Sequence, residues 1–358
     1  MARRPRRTPE PVPPADDEDG ILDLLHASLD EELDCKRQRV QRALSARGIA
    51  FDVPAPEPSP RRHGARARVS LRVGQQAELV VRRPGSHQDV PPPLDAMARP
   101  EIAAVARAIG AQLATEPRLS RPIQRLELRS DGARVVTVLY GDIPASAREP
   151  LAALLGPALG PDGALCFQAR TLLGQARLRL PVGEIELEVG PLTFYQVNLE
   201  ANQALVRAVG DAVASAAPTR VLDLFGGAGN LSFPIAARGI AVDLVESHPP
   251  AVKDARANAA RLDLPVGVVQ QDAYQLQPGS QFFDVAVLDP PRRGAGPAME
   301  AVCATRPRAI VLVSCHPPSL AKDLQQAMSH GYRIDALSLH DLFPLTSHVE
   351  SLAVLRRS

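Results

Sequence analysis

From residue 189 onward the chain repeats one pattern: a short, nearly continuous apolar run, then a stretch with helical spacing. The runs are "RVLDLFG", "AVDLVES", "VGVVQQD", "FDVAVLD", "AIVLVSC", "RIDALSLHD" and "SLAVLRR". A strand that is apolar on both faces must be covered on both, and helices between successive strands supply that cover. The pattern therefore specifies a parallel, doubly wound (Rossmann-like) α/β sheet. Only "LFPLTSHVE" joins the last two runs. A parallel crossover needs a dozen or more residues, so the last strand should run antiparallel and give the sheet a reversed edge. Ligands of such sheets bind beyond the carboxyl ends of the strands, so strand-ending residues are the first candidates for chemistry.

Upstream, "ILDLLHASLDEELDCKRQRVQRALSARG" has helical spacing and ends in glycine, which predicts a helix. "FDVPAPEPSPRRHG" reads as a proline-rich linker. Short strands and helices then mix: "ARARVSLRV", "QRLELRS", "ARVVTVLYG", "ARLRLPVG" and "IELEVG" are strand candidates. In the first of these, Arg66, Arg68, Ser70 and Arg72 fall on one face and Ala67, Val69, Leu71 and Val73 on the other. The expected plan is a disordered tail over 1–20, a helical segment and linker over 21–60, a central α+β domain over 61–188 and the doubly wound domain over 189–358. The tail, "MARRPRRTPEPVPPADDEDG", has a basic and an acidic half, lacks the apolar stretch of a signal peptide and reads as a solvated linker. No apolar run approaches the length of a membrane span.

Composition excludes some functions. A net charge of +1 supplies no global attraction for nucleic acid, so any such contact must rest on local patches. Tryptophan is absent and aromatics are 3%, so no broad stacking surface for single-stranded RNA is available. Cys35, Cys166, Cys303 and Cys315 show no CxxC spacing. That argues against a zinc site and a disulfide framework, and it suits a reducing cytosol.

"VLDLFGGAGNLSFPIA" reads as strand, glycine turn and helix, with Gly226, Gly227 and Gly229 letting the backbone turn sharply and approach a ligand. Glu246 ends the next strand, placed to accept hydrogen bonds from a ribose. A nicotinamide dinucleotide site would look similar, but Ser232 replaces the third glycine of that fingerprint. An adenosyl cofactor without a pyrophosphate fits better. Asp272 has two readings, a contact to the adenine edge or a helix N-cap. Asp289 ends the fourth strand ahead of two prolines, which put a carboxylate and a stiff turn on the rim.

Cys315 ends the fifth strand, and "PPSLAKDLQQAM" after it reads as a helix with proline in its first turn. A thiol at that place should have its thiolate favoured by the helix dipole and the free N–H groups. Cys303 and Cys166 read as packing. The sixth strand reaches the same rim at His340 and Asp341, "LFPLTSH" turns there, and the seventh starts at Val349 and Glu350. Glu350 therefore returns to the rim that holds Cys315, Asp289 and the glycine loop, giving a nucleophile, a carboxylate base and a methyl-donor site together. Taken alone, Glu350 reads as a strand-edge charge, and His348 as a loop-packing or hydrogen-bonding residue.

Together "FYQVN" (Phe194 to Asn198), "VLDLFGGAGN", "LDPPRRG", "VSCHPPSLAKD" and "DLFPLTSHVES" resemble, in order, the motifs of S-adenosylmethionine-dependent RNA uracil-5-methyltransferases. The resemblance implies that Gln196, Phe225, Asn230, Glu246 and Asp289 line the cofactor and target site, beside Gly227, Gly229 and Asp272 of the cofactor end. It makes Cys315 the nucleophile and Glu350 the base, with S-adenosyl-L-methionine as cofactor, no metal, and RNA as partner of a monomeric cytoplasmic protein. The chemistry is consistent. Carbon 5 of uracil is a poor nucleophile, thiolate attack at carbon 6 turns it into an enolate, and a separate base must then remove the carbon 5 proton. Gln196 would read the uracil edge, and the target base must be flipped out to reach the rim.

Upstream, "RRHGARARVSLRV" and "VRRPGSHQDV" resemble arginine-rich strands of that family. RNA contact falls to Arg61, Arg62, Arg66, Arg68, Arg72, Arg82 and Arg83, a set that also reads as a solvated strand face. The chain departs from the family pattern in lacking the iron–sulfur cysteines, so no cluster is expected. The short, polar tail leads to the expectation of no small N-terminal RNA-binding barrel, and the chain has His316 where the family usually has asparagine. The glycine loop and the C-terminal motif look like the branch acting on 23S rRNA, which is the expected substrate. The missing barrel and cluster suit a tRNA layout, which is the alternative. A degenerate member that binds RNA without methylating it is a further alternative, against which intact Cys315, Glu350 and Asp289 argue.

Overall fold

The computed structural model describes residues 22–83, 88–277 and 282–357. The tail at 1–20 and residues 84–87 of the second arginine-rich stretch lie outside the described residues. The first helix, α1 (Leu29–Ser45), starts later than its apolar spacing predicts. Ser28 stops it from extending further back: its hydroxyl accepts from Glu31 N at 3.3 Å while the Glu31 carboxylate accepts from Ser28 N at 2.8 Å. This capping box fixes the N-terminus, and the residues ahead of it form turns.

The elements that follow are β1 (Arg68–Val73), β2 (Leu79–Arg82), β3 (Asp89–Val90), α2 (Leu94–Met97), α3 (Pro100–Thr115), α4 (Pro117–Ser120), β4 (Ile123–Ser130), β5 (Val135–Gly141), α5 (Ala145–Leu159), β6 (Ala164–Phe167) and β7 (Arg170–Leu173). Their strands form a seven-stranded sheet in the order β3-β2-β1-β4-β5-β6-β7. It is antiparallel except where β5 meets β6. One face buries Val69, Leu71, Leu126 and Leu128 against α3 and α5. The other face carries rows of polar side chains, with Arg68 opposite Arg129, Ser70 opposite Glu127 and Arg72 opposite Arg125.

A hairpin, β8 (Leu178–Val182) and β9 (Ile185–Val189), comes next. Its apolar residues share a buried cluster with Leu205, Val209 and Phe233 of the second half and with Val136, Val138 and Cys166 of the first sheet. The span assigned by sequence to the central domain thus ends in a hairpin packed on the following domain's helices.

The second half runs α6 (Leu199–Ala214), β10 (Arg220–Leu224), α7 (Ser232–Ala236), β11 (Ala241–Glu246), α8 (Pro249–Leu262), β12 (Val266–Gln270), β13 (Val285–Leu288), α9 (Pro297–Thr305), β14 (Ala309–Ser314), α10 (Pro317–Ser329), β15 (Tyr332–His340) and β16 (Glu350–Arg357). The sheet order is β12-β11-β10-β13-β14-β16-β15. β12, β11, β10, β13 and β14 are mutually parallel. Successive residues of β14 feed opposite layers: Val311 and Val313 face the α6 side, Ile310 and Leu312 the α10 side. Each such fully buried aliphatic side chain contributes about 1.5–3 kcal/mol.

The reversed strand is not at the edge. β16 inserts between β14 and β15, antiparallel to both. The short loop still makes β15 and β16 a hairpin, but the hairpin docks through its second strand, whose Ala353 and Leu355 belong to the buried layer beside Ile310 and Leu312. No helix of the described residues is long and apolar enough to cross a membrane.

Candidate active site

A cavity of about 500 Å³ opens over the carboxyl ends of the parallel strands. Cys315 follows β14, Asp289 follows β13, and both line it together with Glu350. The β14–β16 register pairs Ser314 with Ser351, so one step further Cys315 stands opposite Glu350. On its other side Glu350 is paired with His340 of β15. The insertion of β16 is thus what sets a carboxylate directly beside the thiol.

The cofactor end is a strained turn. Phe225 has φ +64° and Gly227 φ +56°. Gly227 N donates to Glu246 Oε2 at 3.0 Å, so the strand-ending carboxylate also fixes the turn. Phe225, Gly227, Glu246 and Asp272 all line the cavity. Asp272 takes its capping role, here on a 3₁₀ turn at Ala273–Gln275, its side chain accepting from Tyr274 N at 3.0 Å, and it also lines the cavity. Phe225 and Tyr274 meet with ring centroids 5.1 Å apart, and the Arg293 guanidinium lies 3.8 Å over the tyrosine ring.

Two residues expected at the cofactor end do not line the cavity. Asn230 exchanges a pair of amide hydrogen bonds with Asn202 of α6, at 2.8 and 3.0 Å. Gly229, at φ +99°, serves packing, because a Cβ there would stand 2.2 Å from the Phe233 ring. Gln196 is buried and lines the cavity, beside the exposed ring of Phe194.

The arginine set divides. Arg66 and Arg68 line the cavity, and Arg68 lies 4.7 Å over Phe194, which is 53% exposed. Arg66 is 3% exposed, so it is not part of a solvated face. Arg61 pairs with Glu200 at 3.2 Å, Arg62 with Glu32 at 3.1 Å, and Arg72 and Arg82 with Asp89 at 3.9 and 3.7 Å. Arg83 does not line the cavity; its backbone N–H donates to Gln88 O at 2.9 Å.

Burial dominates the electrostatics. Glu350 is 2% exposed, and its Oε1 is buried without a hydrogen-bond partner. Burial, then the neighbouring Asp289 charge, holds its carboxyl well above the usual carboxylate range. Burial likewise raises Asp289. The Cys315 thiol is pushed up to about 12, first by burial, then by Glu350 and Asp289, with Arg292 opposing. This reverses the expectation of a helix-stabilised thiolate. α10 does begin just after Cys315, but desolvation and two carboxylates outweigh its dipole. Behind the turn, burial raises Asp223 to about 7, although Ser232 donates to it at 2.5 Å.

Several contributors were not singled out from sequence. Tyr274, Arg292, Arg293 and Phe343 all line the cavity. A basic pair directly after the strand-ending "DPP" was the available signal for the two arginines. His348 lines the cavity too and packs edge-on against Phe343, its ring pushed down to about 4 by burial, then by Arg292 and Arg39. It is a neutral imidazole at pH 7. His316 lies 2.9 Å from Ser319 Oγ through Nδ1, and Ser319 donates its only proton to Arg292 O at 2.6 Å. Nδ1 must therefore carry the hydrogen; Ser319 ties the loop after Asp289 to α10, and His316 donates to that serine.

Among the described residues no three metal-ligating side chains gather, and Cys35, Cys166, Cys303 and Cys315 are free thiols.

Comparison with known proteins supplies the chain's relatives. The tRNA (Uracil-5-)-methyltransferase family matches residues 274–358, and the methyltransferase small domain matches residues 200–305. The chain is 30% identical to an uncharacterized RNA methyltransferase of Gloeobacter violaceus over 91% of its own length and 78% of that protein's. It is 38% identical to the 23S rRNA (uracil(1939)-C(5))-methyltransferase RlmD of Shewanella sediminis, over 51% of this chain and 43% of that protein. It is 41% identical to the RlmD of Alkalilimnicola ehrlichii, over 50% of this chain and 41% of that protein. The chain thus spans about two fifths of the length of these curated relatives. A crystal structure of Pyrococcus abyssi tRNA (uracil-54, C5)-methyltransferase with S-adenosyl-L-homocysteine superposes with a TM-score of 0.74 at 22% identity, over 93% of this chain and 85% of that one. That likeness establishes the shared fold.

Proposed function

From a chain that belongs to the RNA uracil-5-methyltransferase family, we propose an enzyme that methylates carbon 5 of a uridine in RNA with S-adenosyl-L-methionine. The observation that carries the reading is the register of β14 and β16, which stands Cys315 opposite a buried Glu350 whose Oε1 has no hydrogen-bond partner, in one cavity with Asp289. A thiol and a separate carboxylate are what addition and elimination at the uracil ring require.

The residues present fit the cofactor. The Phe225–Tyr274 pair offers an apolar wall for a flat heterocycle, Glu246 and Asp272 offer carboxylates to hydroxyl and amino groups, and Asp289 adds negative charge where a sulfonium would sit. When bound, S-adenosyl-L-methionine supplies the electrophilic methyl group. Cys315 Sγ bonds to carbon 6 of the flipped uracil, and the ring's electron pair moves onto its carbonyl, making carbon 5 nucleophilic. Once carbon 5 carries the methyl group, Glu350 removes its proton, the double bond reforms and the sulfur leaves. The thiol must first give up its proton to solvent, which its raised pKa makes costly. Gln196 is placed to read the uracil edge, and Arg66, Arg68 and Phe194 to hold RNA at the mouth.

We assign 23S rRNA as the substrate class, on the relatives matched at 38–41% identity, acted on by a single chain in the cytoplasm. The matched tRNA family keeps tRNA as the second reading. The test incubates the purified protein with S-adenosyl-L-methionine and unmodified 23S rRNA or tRNA transcripts and looks for 5-methyluridine by mass spectrometry. Product on 23S rRNA alone supports the first reading, and product on tRNA alone the second. No product on either, with no covalent adduct to 5-fluorouridine RNA, overturns the enzyme.

A further inference from the structure

The loop between β15 and β16 carries Phe343 and His348 and leads directly into Glu350. It is held almost residue by residue from a distant part of the chain. Lys36 of α1, 0% exposed, donates to Glu32 Oε1 at 2.7 Å, to the Asp341 carboxylate and to Phe343 O at 3.2 Å. Glu32 Oε1 also accepts from Leu345 N at 2.7 Å, and its Oε2 from Arg62 Nε at 3.1 Å. Leu24 N donates to Leu345 O at 3.0 Å. Arg39 donates to Ser347 O at 2.8 Å and to the Ser347 hydroxyl. Ser347 N donates to Asp23 at 2.9 Å.

Two features say that this arrangement fixes a shape. Leu345 sits at φ +64°, a conformation that costs a branched side chain energy and persists only where its surroundings over-determine it. Burying Lys36, Glu32 and Asp341 forgoes hydration that an apolar contact would not lose, so affinity between α1 and the loop alone would be better served by aliphatic residues. What charged hydrogen bonds add is direction.

We infer that Lys36, acting through Asp341 and the loop that follows, is a positioning residue for Glu350: α1 completes the active site from behind by fixing where the base stands. The inference rests on the proposed function of Glu350. Without the lysine the loop relaxes, Phe343 and His348 withdraw from the cavity wall, and Glu350 loses its alignment with the proton it must remove. Methyl transfer precedes that step, so the defect falls on release of the covalent RNA adduct.

The test compares full-length wild type with Lys36→Met, with Lys36→Met/Asp341→Asn, which leaves no stranded buried charge, and with Arg39→Gln, a half-buried site where the fold is safe. The readouts are kcat, KM for S-adenosyl-L-methionine, the fraction of protein bound covalently to RNA on denaturing gels at steady state, and amide hydrogen exchange of residues 341–349. In the double variant kcat should fall by about 10²-fold, the effect of a small misplacement of a reacting group. Because release follows methyl transfer, kcat/KM for S-adenosyl-L-methionine should stay within about twofold, with KM falling alongside kcat, and the adduct should accumulate. Arg39→Gln should show the same signature at about tenfold. Exchange should quicken in 341–349 in all variants. Unchanged kcat and adduct level in folded variants would overturn the inference, as would parallel loss of cofactor binding, adduct formation and thermal stability. If wild type itself neither methylates RNA nor forms an adduct, the proposed function falls. Exchange in 341–349 then decides the positioning claim alone, and unchanged protection there overturns it.

Discussion

The two seven-stranded sheets of this chain use their polar residues in opposite ways. In the mainly parallel sheet β13 and β14 are apolar inside, and the polar groups of the site stand at strand ends, where Glu246, Asp289, Cys315 and Glu350 share one rim, although Asp223 and Asp243 lie within β10 and β11. In the mostly antiparallel sheet the polar groups stand in mid-strand, in cross-strand rows on one face. Arg125 lies 3.9 Å over Tyr140, and Arg129 reaches the carbonyls of Pro191 and Thr193. Polar groups at strand ends do not interrupt the core, so they are free to be unpaired and strained. Polar groups in rows are part of the packing and lean on many contacts, although Arg125, Arg129 and Thr137 each keep one buried atom without a hydrogen-bond partner. The difference teaches that the rim should be costly to activity and cheap to stability, and the rows the reverse.

The sharpest break of that contrast would come from Cys315→Ala. Methylation should fall at least about 10⁴-fold, as when a nucleophile is removed from other enzymes, with the denaturation midpoint hardly moved. A large loss of stability there would end the distinction.

Glu350→Gln comes next. Turnover should fall about 10²- to 10⁴-fold, the usual contribution of a general base, with the covalent RNA adduct trapped on denaturing gels. Stability carries a sign as well. The folded pKa is raised, so the carboxyl's cost is absent below its unfolded value of about 4.3 and appears as pH rises through the folded one. Replacement by Gln should therefore raise the melting temperature, and more so at pH 8 than at pH 5. In the wild type the same raised pKa should make the release rate fall on acidification at a higher pH than an exposed glutamate would give, readable from a pH–rate profile.

In the rows, Arg129→Met should destabilise the fold by about 3 kcal/mol, because it leaves a buried carboxylate, the buried Thr193 carbonyl and the half-buried Pro191 carbonyl short of a donor. Denaturant unfolding at constant m-value measures this, and S-adenosyl-L-methionine binding by the remaining folded protein should be unchanged. The smallest effect is expected from Arg68→Ala, which lies where the two regions meet. RNA affinity should weaken by about 1 kcal/mol and the slope of log affinity against log salt should fall by about one.

The strands were legible because an apolar run covered on both faces admits few alternatives, and the carboxyl rim follows from the strands. Strand order was not. Nothing local in "SLAVLRR" says that it inserts beside "AIVLVSC" and leaves "RIDALSLHD" outside; that choice is made by side-chain packing across the sheet. The state of Cys315 was illegible for a related reason, since its acidity depends first on burial and then on Glu350, which is far away in sequence. Glu32 and Lys36 resemble any solvated pair one helical turn apart, and only the docked loop shows them to be buried. Asn230 sits in a glycine-loop motif, but its partner, Asn202, lies on a helix that precedes the motif.

The insertion of β16 also bears on the order in which the protein comes to life. β15 leaves the ribosome before β16 yet can join the sheet only through it, so the growing chain carries an open edge at β14 with Cys315 at its tip. Until the later strand slots in, that thiol has no carboxylate opposite it. Newly made chains would set a carboxylate opposite the thiol only as this strand docks, which couples the geometry of the rim to the closing of the sheet.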